Sequence, residues 1–234
     1  MKRKALLIGN SNGLSGVKVD LERFKSFLYS NIGGAWNRNE INILPNATSQ
    51  ELTSVLTNVK NNNVDYCIVY FSGHGGFERQ TVLELSDKTI ISENLLHNLS
   101  QRQLTIFDCC RSMSQKAIYE SAQLSTEIFD LSKRSRDFIR EKYNQRIMQS
   151  IPQQAKLYSC SIGEISNDTS KGGIYTQALL DAAPYAQTVG DVHNLAQRLV
   201  QTRWNNSQNE KQNPEAILPK CLTSQQLIFS LKLE

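Results

Sequence analysis

Two short stretches carry residues suited to nucleophilic chemistry: Phe71-Ser72-Gly73-His74-Gly75-Gly76 and Phe107-Asp108-Cys109-Cys110-Arg111-Ser112. Each begins where an apolar run ends, and Cys110 follows His74 by 36 residues. A thiol with a pKa near ~8.5 is mostly protonated at neutral pH, and a nearby imidazole is what makes or holds its thiolate. Glycines on both sides of His74 let the backbone turn tightly and come close to a ligand. The other two histidines, His97 and His193, fall within helical patterns without such surroundings and read as surface or satisfied core groups. A third segment, Gly9-Asn10-Ser11-Asn12-Gly13-Leu14-Ser15-Gly16, has three glycines but neither dinucleotide nor Walker-loop spacing, and no lysine where a phosphate loop needs one. Nucleotide binding is therefore a weak reading. The five cysteines (67, 109, 110, 160 and 221) lack paired C-x-x-C spacing, so no structural zinc site is expected.

For His74 and a cysteine of the second stretch to meet, the elements carrying them must run side by side. Short apolar runs bounded by turn residues predict strands over Ala5–Ile8, Ile41–Leu44, Val64–Phe71, Leu104–Phe107, Lys156–Cys160 and Gln226–Leu231. Between them lie helical patterns. Val17, Leu21, Phe24, Phe27 and Leu28 recur at helical spacing, Thr48–Val59 opens with a Thr-x-x-Glu capping box, and Leu179–Ala183 and Val192–Val200 also read as helix. Strands alternating with helices imply a mostly parallel sheet covered on both faces, whose sites lie beyond the carboxyl ends of its strands. Both notable stretches sit at such ends.

Composition sets further limits. With 234 residues, 39% of them hydrophobic and 21% charged, the chain is long enough for one substantial core. Its net charge of +4 is matched by residues 133–146 alone, where six basic groups meet two acidic ones. The remainder is neutral, which argues against a general nucleic-acid binder. The apolar run after the basic start is only about five residues, too short for a signal peptide, and no segment approaches the roughly 20 apolar residues of a membrane helix. A soluble, cytoplasmic protein with reduced cysteines is expected, with no membrane partner.

In this order and with these flanks, Phe-Ser-Gly-His-Gly-Gly followed by Asp-Cys-Cys-Arg-Ser resembles the caspase superfamily. The Asp-x-Cys form is most similar to its metacaspase and prokaryotic caspase-like branch. The likeness extends to Lys4–Asn10, Leu14–Asp20, Tyr158–Ser161, Gly172–Leu180 and the Gln212-Asn213-Pro214-Glu215 element. It implies an α/β three-layer sandwich with a mostly parallel sheet of about six strands, in one domain. Residues 1–112 would form the large-subunit-like part, 113–152 a helical basic linker or insert, and 153–234 the small-subunit-like part.

The resemblance also implies chemistry: peptide hydrolysis through an acyl-enzyme, with Cys110 as nucleophile and His74 as its partner. Strand alternation supports that choice, since Asp108 and Cys110 share one face and Cys109 the other, as a small buried group. The backbone N–H groups of Gly75 and Cys110 fall at the family's oxyanion-hole positions. Where caspases that cut after aspartate carry an arginine, this chain has Ser11-Asn12-Gly13. The acids of the metacaspase-like pocket map to Asp20 and Asp108, with Ser72 nearby, which implies protein substrates cut after Arg, preferred, or Lys.

The chemistry needs no metal or organic cofactor. Some relatives are stimulated by calcium, and no residue pattern here marks a calcium site. The 113–152 stretch, with apolar Ile118, Ile128, Leu131, Phe138, Ile139 and Ile147, is expected to hold one long helix or a helical pair. Its Lys133, Arg134, Arg136, Arg140, Lys142 and Arg146 are candidate processing sites, for the enzyme itself or for an upstream activating protease or sensor. No sensor or death-fold segment is recognised, so control is expected from a partner, a cut or an ion. Small members of this group often serve bacterial defence or programmed death. A caspase-like regulatory module without strong peptidase activity is the alternative.

Overall fold

The computed structural model of the chain describes residues 1–112, 133–206 and 211–232. In chain order the elements are β1 (Arg3–Gly9), α1 (Gly16–Tyr29), β2 (Ile41–Leu44), α2 (Ser49–Asn61) and β3 (Tyr66–Ser72). A small hairpin layer follows, β4 (Gly75–Phe77), β5 (Thr81–Glu84) and β6 (Ile90–Ser92), then β7 (Arg102–Asp108) and α3 (Lys133–Gln149). The chain continues with β8 (Gln153–Tyr158), β9 (Asp168–Thr169), β10 (Gly172–Gly173), α4 (Ile174–Ala182), α5 (Val189–Val200) and β11 (Glu215–Ile217).

Six strands form one sheet in the order β11-β8-β7-β3-β1-β2. All pairs are parallel except β11 with β8. The central strand β3, Tyr-Cys-Ile-Val-Tyr-Phe-Ser, is buried throughout, as a parallel strand covered on both faces must be. Its residues alternate between two cores. Tyr66, Ile68 and Tyr70 pack with Leu21 and Phe24 of α1, Tyr143 of α3, Leu179 of α4 and Val192 of α5. Cys67, Val69 and Phe71 pack with Leu52, Leu56 and Val59 of α2 and with Leu83 of β5. The result is a three-layer α/β sandwich.

Local signals agree with these elements. Thr48 caps α2 by accepting from Glu51 N while Glu51 reaches back to Thr48 N, the reciprocal box read from the sequence. In α3, Ile139, Tyr143 and Ile147 recur every four residues and are buried on the helical core. The part of the expected linker from 113 to 132, with Ile118, Ile128 and Leu131, lies outside the described residues. Among the described residues no helix is long and apolar enough to cross a membrane.

One expected strand is corrected. Gln226–Leu231 does not join the sheet: Ile228 makes only an isolated bridge to Thr188, and the sixth strand is Glu215–Ile217. Leu227, Ile228, Phe229 and Leu231 are buried instead in the helical layer, where Phe229 stacks on Phe27 at 4.9 Å. A short apolar run reports burial, and burial against helices satisfies it as well as a sheet does.

The register decides where the site forms. Gly9 pairs with Ser72, and Ser72 pairs with Asp108, so the carboxyl ends of β1, β3 and β7 lie level. The loops that follow them therefore leave the sheet together.

Candidate active site

Beyond those strand ends, Asp20, Ser72, His74, Asp108 and Cys110 line one cleft, so five of the six catalytic, oxyanion-hole and substrate-binding residues expected from the sequence converge. Cys110 stands two residues past the end of β7 and is part-buried; Cys109 is buried in the α2-side core, as alternation required. Gly75 opens β4 against the same turn. A carbon built on it would fall 2.7 Å from Cys109 Sγ and 3.0 Å from the Cys110 carbonyl oxygen, so only glycine lets β4 lie this close.

His74 Nε2 lies 2.6 Å from the backbone oxygen of Asn12. A carbonyl oxygen only accepts, so Nε2 carries a proton, and in the neutral ring Nδ1 is the basic nitrogen. The Cys110 thiol donates to the backbone oxygen of Ser166, at 3.7 Å. Burial pushes this thiol above its ordinary value, outweighing the downward pull of the Ser166 backbone beside it.

Asp20 and Asp108 are held by hydrogen bonds, most of them buried. Asp20 accepts from Ser72 Oγ at 2.9 Å and from Gly173 N at 3.0 and 3.1 Å. Asp108 accepts from Ser166 Oγ and Thr176 Oγ1, both at 2.6 Å, and from Thr176 N at 3.1 Å. Tyr70 OH and Thr176 Oγ1 are 2.7 Å apart, which ties this network to the central strand.

A third acid, Asp168 at the start of β9, also lines the cleft and accepts from Gly16 N at 2.9 Å. Sequence reasoning passed over it, along with the supporting Asn12, Ser166 and Thr176. The only signal was one acid among the turn-forming residues that precede Gly172-Gly173. Gln212 belongs to the Gln212-Asn213-Pro214-Glu215 element, to which the sequence alone assigns no role. It is fully buried and holds the cleft loop, accepting from Asn167 N at 3.0 Å and donating to Ser159 O at 2.9 Å.

All three carboxyls are harder to ionise than in water. Burial is the main cause for each; the charge of Asp108 adds to it at Asp20 and Asp168, and Asp168 is pushed up to about 6. No ion pair among the described residues involves any of them. Three acids converging without a cation form a cavity electrostatically complementary to one.

The candidate processing residues lie elsewhere. Arg136 donates to the backbone oxygens of Tyr29 and Trp36 at 2.9 and 2.6 Å, and Arg140 binds the Ala35 oxygen and both carboxylate oxygens of Glu40. Burial pushes Glu40 up, but hydrogen bonds from Arg140 and Asn37 N and the charge of Arg3 together hold it below the usual carboxylate range. Arg146 donates to Thr223 O at 3.2 Å, and Lys142 lies 4.8 Å from the centre of the Phe138 ring. Lys133 and Arg134 begin α3.

Comparison with known proteins places this arrangement. A family model for the caspase domain matches residues 2–221. No curated protein matches the chain. Among solved structures it is similar to caspase-1 from Spodoptera frugiperda, with a TM-score of 0.63 and 15% identity over 99% of this chain and 90% of that one. It is also similar to a protein from Geobacter sulfurreducens, with a TM-score of 0.60 and 14% identity over 99% and 98% of the two chains. At such identities the likeness to these two structures is one of fold.

Proposed function

This chain belongs to the caspase-domain family, and we propose that it is a cysteine endopeptidase that cuts protein substrates after Arg, preferred, or Lys. The observation that carries the specificity is the convergence of Asp20, Asp108 and Asp168, without a paired cation, on the cleft that holds Cys110 and His74. A guanidinium presents a planar fork of donors that bridges carboxylates, whereas an ammonium offers a compact charge to the same acids.

In this reading His74 Nδ1 takes the proton of Cys110, and the thiolate attacks the scissile carbonyl carbon. The oxyanion is held by the N–H groups of Gly75 and Cys110. The amine leaves with the proton from His74, which leaves a thioester on Cys110. Water, giving a proton to His74, then attacks the thioester and releases the new carboxyl terminus and the thiol. The Asn12 carbonyl keeps the imidazole in the required tautomer. The cycle uses no metal or organic cofactor.

Control is proposed to come from a cut within residues 113–152, by the enzyme itself or by an upstream protease of similar preference. Lys133 and Arg134, at the start of α3, suit this better than Arg136, Arg140 or Arg146, whose guanidinium groups hold the helix to its neighbours.

The test is a panel of fluorogenic peptides that differ in the residue before the scissile bond, with wild type, Cys110→Ala and Cys109→Ala. Release after Arg and Lys is expected, lost by about four orders of magnitude or more in Cys110→Ala and retained in Cys109→Ala. Silence of the wild type, both intact and after a limited tryptic nick, would favour the regulatory-module reading.

A further inference from the structure

Ser166 touches both halves of the cleft. Its hydroxyl donates to Asp108 Oδ1 at 2.6 Å, and its backbone oxygen accepts the Cys110 thiol proton at 3.7 Å between heavy atoms. The thiol therefore directs its proton at Ser166, while the described partner of the His74 ring is the Asn12 oxygen. The thiol proton is thus aimed away from the imidazole that would take it. The loop around Ser166 is in turn held from behind by buried Gln212, which contacts Asn167 N, Ser159 O and Ser166 Oγ at 3.0, 2.9 and 3.4 Å.

Asp108 is where the two tasks collide. Its Oδ2 already accepts from Thr176 N and Thr176 Oγ1, so both its lone-pair directions are used. Its Oδ1 accepts from Ser166 Oγ. A guanidinium drawn to this carboxylate is left with Oδ1, the oxygen that the Ser166 hydroxyl holds.

We propose that Ser166 is a positioning residue that couples filling of the acidic pocket to release of the nucleophile, a coupling that rests on the basic-residue reading of that pocket. With the pocket empty, Ser166 ties Asp108 and Cys110 to one loop and keeps the thiol proton aimed at its own backbone oxygen. An entering guanidinium takes over Asp108 Oδ1, the Ser166 loop shifts, and the thiol proton passes from Cys110 Sγ to His74 Nδ1. The thiolate forms only when a basic side chain is in place, which spares the free enzyme from adventitious electrophiles.

The experiment follows alkylation of Cys110 by iodoacetamide, read by mass spectrometry on the peptide that contains it. Wild type, Ser166→Ala and Ser166→Thr are compared across the neutral pH range with propylguanidine, with its neutral match propylurea, or with neither. Calorimetry on the same samples measures binding. Propylguanidine is expected to speed alkylation of the wild type about fivefold or more and to move its pH midpoint down, with propylurea inert. Ser166→Thr, which keeps the hydroxyl, retains this dependence. Ser166→Ala alkylates faster without ligand and gains little from it; if that variant does not fold, the other two proteins still decide. Propylguanidine that binds but leaves alkylation unchanged, or slows it, overturns the coupling alone. No calorimetric binding overturns the basic-pocket reading, and the coupling with it.

Discussion

Adjacent thiols at 109 and 110, in the turn that leaves β7, meet opposite environments. Cys109 is enclosed by the α2-side core, where burial pushes its thiol far above the ordinary value, whereas Cys110 opens into the cleft. Among the acids, Asp168 is the least enclosed, and its Oδ2 accepts from Gly16 N. Asparagine keeps an oxygen for that bond and removes the charge. Asp168→Asn is therefore expected to lower kcat/KM for Arg peptides by about 10- to 100-fold, mainly through KM, as befits a lost charge-assisted bond of about 1.5–3 kcal/mol. The pH dependence follows from the raised carboxyl. Below about 6 the wild-type Asp168 is protonated, so its KM rises with acidity and the gap to Asp168→Asn narrows. A gap that stays constant through that pH range would remove Asp168 from the pocket.

The acids are assembled by a two-strand clasp. The β9–β10 hairpin pairs Asp168 with Gly173; Asp168 binds Gly16 N at the start of α1, and Gly173 N binds Asp20 one turn further along that helix. Arg23 of α1 adds a bond at 2.7 Å to the Lys171 oxygen at the hairpin turn. Each partner thus satisfies a group that the other leaves open, including an N-terminal helix N–H that Ser15 does not cap with its side chain. Gly173 is required by this closeness: a carbon on it would fall 2.4 Å from Asp108 Oδ2 and displace either the hairpin or the acid. Gly173→Ala is expected to lower kcat/KM for Arg peptides about 100-fold, the cost of misplacing a reacting geometry by about an ångström. Alkylation of Cys110 in the absence of ligand should survive the change, which separates pocket damage from unfolding.

Across the whole molecule, the buried Asp20 and Asp108 and the half-buried Asp168, without paired cations among the described residues, carry a cost to the empty fold. Their folded pKa values lie above the ordinary carboxylate range, so at pH between about 4 and about 6 the native Asp168 holds a proton that the unfolded chain has lost. Protonation of this group therefore favours the native state. Its contribution is expected to fall as pH rises through that window, and propylguanidine, by pulling the acids back down, should flatten or reverse the trend. Thermal midpoints of wild type and Asp168→Asn, measured across the window with and without that ligand, check the sign. Processing belongs to the same scale. A substrate strand must be extended to enter a cleft, and the body of α3 is helical, with Arg136 and Arg140 bonded to the segment after α1. If the chain cuts itself, the new amino terminus is expected at Arg134 or Ser135 and should be absent in Cys110→Ala. Recovery of termini after Arg136 or Arg140 from folded protein would refute that placement.

Legible in the residues alone are the alternation of strands and helices, the capping box at Thr48, the burial of Cys109, and the two strand ends that carry His74 and Cys110. Each depends on neighbours within a few residues, where side-chain period and turn chemistry are decisive. Three further features emerge with the packed fold: Gly9, Ser72 and Asp108 end level, Gln226–Leu231 packs against helices while Glu215–Ile217 takes the sheet edge, and Asp168 joins acids far from it in sequence. Gly16 N and Asp168 are separated by 152 residues, as are Asp20 and Gly173 by 153. Such contacts are set by parallel register and by which loops leave the sheet on the same side, and no local pattern of residues encodes either.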